Sequence, residues 1–278
     1  MALERGFFDD QGIRVEVIGD VLGGPTAIQA VAGGSAEAGL SSLPALINAN
    51  AAGLPVQGVS DIQSALPSQP LEYYYVRADS DLNRVEDLAG ATIAVNLWRS
   101  SFHYTAIMAL ENAGLDEDSA DWVLLPFENQ ATALARGDVD VIGLMEPYNG
   151  YAQANYAEDF RLLFDAIDVF GEKQFTTHFV NREWAAQNPE AARAFVAGIT
   201  QAIAWIEANQ DAARAIIAEY TGIDADFVPD YRFQPDGRVV MEDVRFWINY
   251  LRGRGDIARD LTPEDVATNA YNARVADD

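Results

Sequence analysis

One order of helix, glycine, strand and proline occurs twice in the chain, and it restricts the possible fold more than any other feature. The copies are residues 30–44 (AVAGGSAEAGLSSLP) and 133–147 (ALARGDVDVIGLMEP). In each copy a helix of small residues leads to a glycine, which can adopt the left-handed conformation that ends a helix. A short apolar strand, a loop and a proline suited to the start of a new helix follow. Such units are typical of parallel α/β sheets, so two copies favour two similar lobes.

Strand and helix patterns alternate along the rest of the chain. Residues 102–113, 190–208 and 212–221 carry apolar residues at the spacing of amphipathic helices. Short apolar, β-branched or aromatic runs between such stretches predict strands. We predict these strands at residues 13–18, 56–62, 71–76, 92–96, 121–126, 139–144 and 175–180. The alternation favours an α/β fold with a doubly wound, mixed sheet in each lobe.

Two strand-like stretches, residues 71–80 (LEYYYVRADS) and 174–183 (QFTTHFVNRE), run out of α/β segments into charged turns. We predict that the chain crosses between the lobes at these stretches. Lobe 1 would then combine residues 1–75 with 176–278, and lobe 2 would be residues 76–175. One copy of the repeat falls in each lobe. The loops after the repeated strands lie at strand carboxyl ends, where open α/β sheets bind ligands, so we expect them to face one cleft.

The composition excludes several classes of function. The net charge of −25, from 43 acidic and 18 basic side chains, argues against nucleic acid as a partner. Lys173 is the only lysine, which fits an acidic surface adapted to high salt or a GC-rich coding sequence. No apolar run approaches the roughly 18 residues that a membrane span requires.

Residues for known catalytic chemistry are also missing. The chain has no cysteine, which excludes disulfides and thiolate chemistry. It has no G-x-S-x-G, H-E-x-x-H or P-loop motif. Its two histidines leave few metal ligands besides carboxylates. We therefore expect a protein that is not an enzyme and that uses no cofactor and no metal.

Five stretches together resemble a known family. They are residues 2–17 (ALERGFFDDQGIRVEV), 30–40 (AVAGGSAEAGL), 84–116 (RVEDLAGATIAVNLWRSSFHYTAIMALENAGLD), 133–148 (ALARGDVDVIGLMEPY) and 179–196 (FVNREWAAQNPEAARAFV). In this order they resemble solute-binding proteins of ABC importers of the nitrate, taurine, alkanesulfonate and thiamine-precursor group, and residues 84–116 are the most specific. The resemblance implies a two-lobed periplasmic-binding-protein type 2 fold. It also implies a monomeric extracytoplasmic protein that closes on a small molecule by a hinge and delivers it to a membrane permease.

The start of the chain departs from this family pattern. Family members have an export signal, a strand and a loop before the ALERGFF helix, whereas here residues 1–3 already belong to that helix pattern. No positively charged segment followed by an apolar segment precedes it. We interpret the sequence as lacking the signal peptide and the first strand. Loss of a central strand would leave two ladders of hydrogen bonds without partners.

The richest polar cluster is residues 96–104 (NLWRSSFHY), which begins at a strand end and runs into a helix. Ser100 or Ser101 can cap this helix, and its free amides and dipole favour an anion. Arg99 could bind a sulfonate, carboxylate or phosphate through two hydrogen bonds, unless it only faces solvent. Trp98 could pack against the organic part of a ligand. Asn96 belongs to the same predicted site.

Histidines and the loops of the repeat complete the candidate set. The family's S-x-H-Y pattern implies a binding function for His103, although a lone histidine is more often structural, as we expect for His178. We also predict binding by Gly23 and Gly24, where the backbone can approach a ligand closely, and by Ser41, Ser42 and Thr176. Glu146 either binds an amino group of a ligand or caps the helix that starts at Pro147.

The function that we predict is the binding of a small organic anion, sulfonate-like or carboxylate, for import. An alternative is the binding of a thiamine-precursor pyrimidine or another aromatic heterocycle through Trp98 and Glu146. A more distant alternative is a pyrimidine-synthesising enzyme on the same fold, although the cysteine-rich stretch of that branch is missing. The effector domain of a regulator shares the fold too, but no helix-turn-helix is present.

Overall fold

The computed structural model describes residues 1–18, 24–234 and 236–275, which form two compact units. Unit 1 comprises Met1–Ser64, Gln174–Ala213 and Tyr231–Asp278, and unit 2 comprises Ala65–Lys173 and Arg214–Asp230. Residues 65–75 and 214–230, which the sequence-based division assigned to lobe 1, therefore group with unit 2. No helix in the described ranges combines the length and the apolar character that crossing a membrane needs.

Helices and strands alternate in most of the described chain. The strands are β1 (Ala38–Ser42), β2 (Val56–Ala65), β3 (Tyr73–Arg77), β4 (Thr92–Val95), β5 (Asp121–Leu124), β6 (Val141–Leu144), β7 (Phe160–Asp165) and β8 (Lys173–Asn181). The helices are α1 (Phe7–Asp10), α2 (Gly24–Ala32), α3 (Leu43–Ala51), α4 (Ser101–Asn112), α5 (Phe127–Arg136), α6 (Tyr148–Tyr156), α7 (Ala166–Phe170), α8 (Arg182–Gln187), α9 (Pro189–Ala208), α10 (Gln210–Thr221), α11 (Met241–Arg254) and α12 (Pro263–Val266). Short 3₁₀ helices occur at Val85–Leu88, Glu117–Ser119 and Ala225–Phe227.

Unit 2 contains a mixed sheet in the strand order β5-β4-β6-β3-β7. β4 runs parallel to β5 and β6, whereas β3 runs antiparallel to β6 and β7. Alternate residues of the strands enter two different apolar clusters. Tyr74 and Ile93 pack in one cluster with Phe102, Ala106, Ala109 and Leu110 of α4. Tyr75 and Ala94 pack in the other with α5 and α6. Helices thus cover both faces of the sheet, which is the doubly wound arrangement.

Unit 1 contains a sheet in the order β1-β8-β2, in which β1 runs antiparallel to β8. The long helix α9 supplies one face of its core. Ala192 and Val196 of α9 pack with Val59 and Val180 of the sheet. Farther along α9, Ala202 packs with Phe7 and Phe8 of the N-terminal segment.

Both copies of the sequence repeat have the predicted local structure. Gly34 follows α2 with φ 77°, and Gly137 ends α5 with φ 75°, as the left-handed ends of helices require. The strands β1 and β6 follow, and Pro44 lies in the first turn of α3. Pro147 differs slightly, since it is the N-cap of α6 rather than a residue of its first turn.

The sequence pattern was wrong in two other places. Residues 13–18 form no strand, although their apolar alternation predicts one. Ile13 and Val15 instead pack against the cluster of Phe7 and Phe8, so burial of alternate side chains occurs without a strand ladder. β7 was not predicted; three turn residues, 157–159, separate it from α6, and Arg161 interrupts its short apolar run FRLLFD.

Candidate functional site

The first candidate region lies in unit 2, where β4 ends and α4 begins. The N-cap of α4 is Ser100, whose Oγ accepts a hydrogen bond from the His103 amide at 3.3 Å. The Ser100 hydroxyl also donates to Oδ1 of Asn96 at 3.1 Å. The predicted cap is therefore confirmed, and it is Ser100 rather than Ser101. Asn96 holds the cap in place from the strand end.

Arg99 precedes this cap in a left-handed backbone conformation, with φ 61°. Its amide donates to Nδ1 of His103 at 3.1 Å. The Arg99 side chain is exposed, and that of Trp98 is 44% exposed. A positive φ is uncommon for residues other than glycine, and it is maintained here by the hydrogen bond from Arg99 to the histidine.

His103 is buried, with 5% of its surface exposed. Its ring lies edge-on to Trp98, with centroids 5.0 Å apart, and edge-on to Trp122 at 4.8 Å. Nε2 lies 3.6 Å from Oε1 of Glu117. Both ring nitrogens thus face protein groups, and the contacts of His103 position the loop that carries Arg99 and Trp98.

Ser101 is buried, and its hydroxyl faces the carboxyl group of Glu72, which lies just before β3. Glu72 is 1% exposed, and its Oε2 accepts a hydrogen bond from the hydroxyl of Tyr74 at 3.1 Å. Burial raises the pKa of Glu72 to about 7, while the hydroxyls of Ser101, Thr105 and Tyr74 act in the opposite direction. A titratable carboxyl therefore lies directly beneath the first turn of α4.

Glu146 follows β6 at the same edge of the sheet. Its Oε1 accepts from Nδ2 of Asn149 at 2.7 Å, and its Oε2 accepts from the amide of Gly150 at 3.0 Å. Burial raises the pKa of Glu146, and these two hydrogen bonds oppose the rise. Of the two functions predicted for Glu146, the structure thus shows the capping function. Its carboxyl group accepts hydrogen bonds from the first turn of α6, the helix that follows it.

The second candidate region lies in unit 1, at the carboxyl end of β1. A Cβ atom on Gly24, the first residue of α2, would clash with Oγ of Ser41, so a larger residue fits there only if Ser41 shifts. Ser41 is 1% exposed, and its Oγ has no hydrogen-bond partner among the described residues. Ser42 is the N-cap of α3, but its side chain makes no capping hydrogen bond. Gly23, predicted for the same region, lies outside the described residues.

Thr176 lies on β8 and pairs with Ser42 of β1, while Thr177 pairs with Ser41. Oγ1 of Thr176 is buried and has no hydrogen-bond partner within the described ranges. Oγ1 of Thr177, in contrast, contacts the carbonyl oxygen of Ser60 at 2.7 Å. His178 packs edge-on against Phe195, and burial lowers its pKa to about 4, in agreement with a structural function.

No group of three or more histidine, aspartate or glutamate side chains that could hold a metal ion occurs in the described parts of the chain. The sequence reasoning missed Glu72, the most buried carboxyl of the unit 2 region. Its signal was an acidic residue between apolar and aromatic neighbours in residues 71–76. A charged residue in such a run is rarely buried without a function or a partner.

Comparison with known proteins agrees with this architecture. A family model described as "NMT1/THI5 like" matches residues 1–213, which is more than half of the chain.

The chain belongs to the NMT1/THI5-like family. The suspected relationship to this group of binding proteins is thereby confirmed. One relative, from Escherichia coli (strain K12), is assigned as an aliphatic sulfonates-binding protein. It is 28% identical over 211 residues, which cover 75% of this chain and 63% of that protein. The chain thus matches less than two thirds of the length of this relative.

Solved structures confirm the predicted fold of this family member. The alkanesulfonate-binding protein SsuA from Xanthomonas axonopodis pv. citri, solved bound to MOPS, superposes with a TM-score of 0.79 at 20% identity. The superposition covers 96% of this chain and 92% of that one. The desulfurization enzyme DSZB superposes with a TM-score of 0.68 at 17% identity, covering 98% of this chain and 94% of that one. The fold is therefore found in binding proteins and in an enzyme.

Proposed function

We propose that this protein is an extracytoplasmic solute-binding protein that binds a small organic anion, a sulfonate or a carboxylate, and delivers it to a membrane permease of an ABC importer. The observation that carries the proposal is the buried hydroxyl of Ser41, which has no partner among the described residues. It lies against Gly24 at the start of α2 and one residue before the N-cap of α3.

The unit 1 region offers donors that suit an anionic oxygen. The first amides of α2 and α3 have no partner within their helices, and helix dipoles favour negative charge at this end. A buried hydroxyl without a partner costs free energy, and a ligand oxygen that accepts from it removes that cost. We propose that Ser41, Ser42, Thr176 and the backbone at Gly24 bind polar atoms of the ligand.

The unit 2 region offers a second set of donors, with a positive charge. The exposed Arg99 side chain lies beside the capped N-terminus of α4, and a guanidinium can bind a sulfonate or carboxylate through two hydrogen bonds. Trp98 supplies an exposed aromatic surface for the organic part of the ligand. Asn96, Ser100 and His103 position these groups through their hydrogen bonds. The closing of the two lobes on the ligand stays a prediction.

The relatives and the site favour this function over the alternatives. The sulfonate-binding assignments of the E. coli and Xanthomonas proteins support an anionic ligand. A pyrimidine ligand would need an acidic partner, and the hydrogen bonds of Glu146 to Asn149 and Gly150 of α6 support its capping function instead. For an enzyme like DSZB, of which a cysteine-to-serine variant has been solved with biphenyl-2-sulfinic acid, this chain has no cysteine to contribute.

Isothermal titration with butane-1-sulfonate, benzoate, nitrate and a pyrimidine tests the proposal. The buffer must contain no sulfonate, which excludes MOPS and its relatives. We expect selective binding of one anion class. Arg99→Ala should weaken it roughly 10- to 100-fold, the range of a lost charge-assisted hydrogen bond, and Ser41→Ala should weaken it about 5-fold.

Two exposed residues supply matched controls. Arg136→Ala removes the same charge from the end of α5, and Ser35→Ala removes an exposed hydroxyl. Neither variant should change the affinity. Tight binding of the pyrimidine alone, or binding that Arg136→Ala weakens as much as Arg99→Ala does, would contradict the proposal.

A further inference from the structure

Glu72 is the most buried of the described side chains at the unit 2 region whose negative charge would oppose an anionic ligand. It is 1% exposed, and the hydroxyls of Ser101 and Thr105, in the first turns of α4, face its carboxyl group. Its Oε1 is buried and has no regular hydrogen-bond partner among the described residues. An ionised carboxylate in this place would neutralise part of the positive end of the α4 dipole.

The Tyr74 hydroxyl has a second acceptor besides an ionised Glu72. The Tyr74 hydroxyl lies 2.8 Å from the carbonyl oxygen of Phe102 and 3.1 Å from Oε2 of Glu72. The tyrosine has one proton, and both neighbours are acceptors when Glu72 is ionised. If Glu72 is protonated, it can donate to the tyrosine oxygen while the tyrosine donates to Phe102. Both contacts are then satisfied.

Backbone strain is concentrated at the same place. Leu71 and Arg99 are the two residues other than glycine that have a positive φ in the described ranges, at 72° and 61°. Leu71 directly precedes Glu72, and Arg99 directly precedes the cap of α4. Strained conformations of this kind persist where the surroundings impose them, often at functional sites. The strained conformation at Leu71 thus lies directly beside the buried carboxyl.

We infer that Glu72 couples anion binding at the N-terminus of α4 to the protonation of its own carboxyl group. This inference rests on the proposed function, because it needs an anion at α4. With Glu72 protonated, the dipole of α4 and Arg99 act on the ligand without opposition. With Glu72 ionised, the carboxylate repels the ligand through a poorly screened interior. Affinity therefore falls as the pH rises through about 7, where Glu72 titrates. By reciprocity, the ligand draws a proton onto Glu72.

The groups that face the Glu72 carboxyl are Tyr74 from β3 and Ser101 and Thr105 from α4. Three other titratable groups lie near this edge of unit 2. His103, on α4, faces Glu117, and Glu146 accepts hydrogen bonds from Asn149 and Gly150. His103 is the main competitor as the source of a pH effect, because a protonated imidazole would also favour an anion at low pH.

The test measures the affinity for butane-1-sulfonate, which does not titrate in this range, from pH 5.5 to 8.5 at constant salt. We expect the affinity of the unaltered protein to fall about tenfold, within the usual range of coupling between two sites. Titration in two buffers of different ionisation enthalpy at pH 7 should show proton uptake on binding. Glu72→Gln should keep the low-pH affinity at every pH and abolish the uptake.

Two further variants keep the test decisive if Glu72→Gln does not fold. Thr105→Val removes a hydroxyl that lowers the pKa of Glu72, so the fall in affinity should move to higher pH. Glu128→Gln, an exposed glutamate of α5, changes the net charge equally and should leave the pH profile unchanged. A profile that His103→Gln flattens and Thr105→Val does not move would overturn the inference, as would a pH-independent affinity. If butane-1-sulfonate does not bind at any pH although another anion does, the profile is measured with that anion. If no anion binds, the proposed function fails, and the inference fails with it.

Discussion

Replacing Gln174 by leucine should destabilise unit 1 more than any single hydrogen bond would suggest. Gln174 begins the second segment of unit 1 and is fully buried. Its Nε2 donates to Oδ1 of Asp61 at 2.6 Å and to the carbonyl oxygen of Arg238 at 3.1 Å. Its Oε1 accepts from the amide of Val240 at 2.9 Å. The leucine side chain would leave all three buried groups without this partner.

The magnitude follows from the number of groups left without a partner. A buried polar group that loses its partner costs about 1–3 kcal/mol, so three groups should cost about 3–6 kcal/mol after the gain from the apolar leucine. Gln130 of α5 is an internal comparison. It is equally buried but bonds only two groups, the carbonyl oxygen of Leu125 and the amide of Gly143. Gln130→Leu should therefore cost less, about 2–4 kcal/mol.

The assay is urea unfolding followed by far-UV circular dichroism, with Gln187→Leu as the exposed control. Gln187 is exposed near the end of α8, and its substitution should change the free energy of unfolding by less than about 0.5 kcal/mol. The expected order of destabilisation is Gln174→Leu, then Gln130→Leu, then Gln187→Leu. A cost for Gln174→Leu no larger than that for Gln187→Leu would refute the reasoning.

A pH dependence checks the same mechanism. Burial raises the pKa of Asp61 to about 7, and the hydrogen bond from Gln174 partly opposes that rise. When a carboxyl has a higher pKa in the folded protein than in the unfolded chain, the free energy of unfolding decreases as the pH rises from the unfolded-state pKa through the folded-state pKa. Loss of the Gln174 hydrogen bond raises the pKa further. The loss of unfolding free energy caused by Gln174→Leu should thus be larger at pH 8 than at pH 5. An equal loss at both pH values would show that Asp61 is not involved.

Two further predictions concern packing and charge. Gly24→Ala places a Cβ atom against Oγ of Ser41 and should lower the free energy of unfolding by about 1–3 kcal/mol in urea titrations. Adding Ser41→Ala should recover part of this loss, and no recovery would locate the strain elsewhere. The net charge of −25 should make the melting temperature rise between 0.1 and 1 M NaCl, as the Debye length falls from about 10 to about 3 Å. A constant melting temperature in scanning calorimetry would contradict a folded state limited by self-repulsion.

Local signals predicted the elements that carry the candidate regions. The apolar spacing of residues 102–113 predicted α4, and four of its apolar residues pack in the core. The serine pair before it predicted a cap, and Ser100 makes it. The glycines of the repeat, Gly34 and Gly137, predicted helix ends with positive φ. These features depend on interactions among residues a few positions apart, so the sequence by itself determines them.

Other features depend on what packs against a residue from elsewhere in the chain. Nothing near Ser101 in the sequence indicates that its hydroxyl faces Glu72, and nothing near His103 indicates its contact with Glu117. The apolar residues at 13–18 had the spacing of a strand but form none in the described structure. Burial, pairing and pKa are set by neighbours that only folding brings together. The sequence therefore determined the local elements and their caps. The tertiary structure decided which polar groups are buried beneath α4 and which, beside α2, have no partner among the described residues.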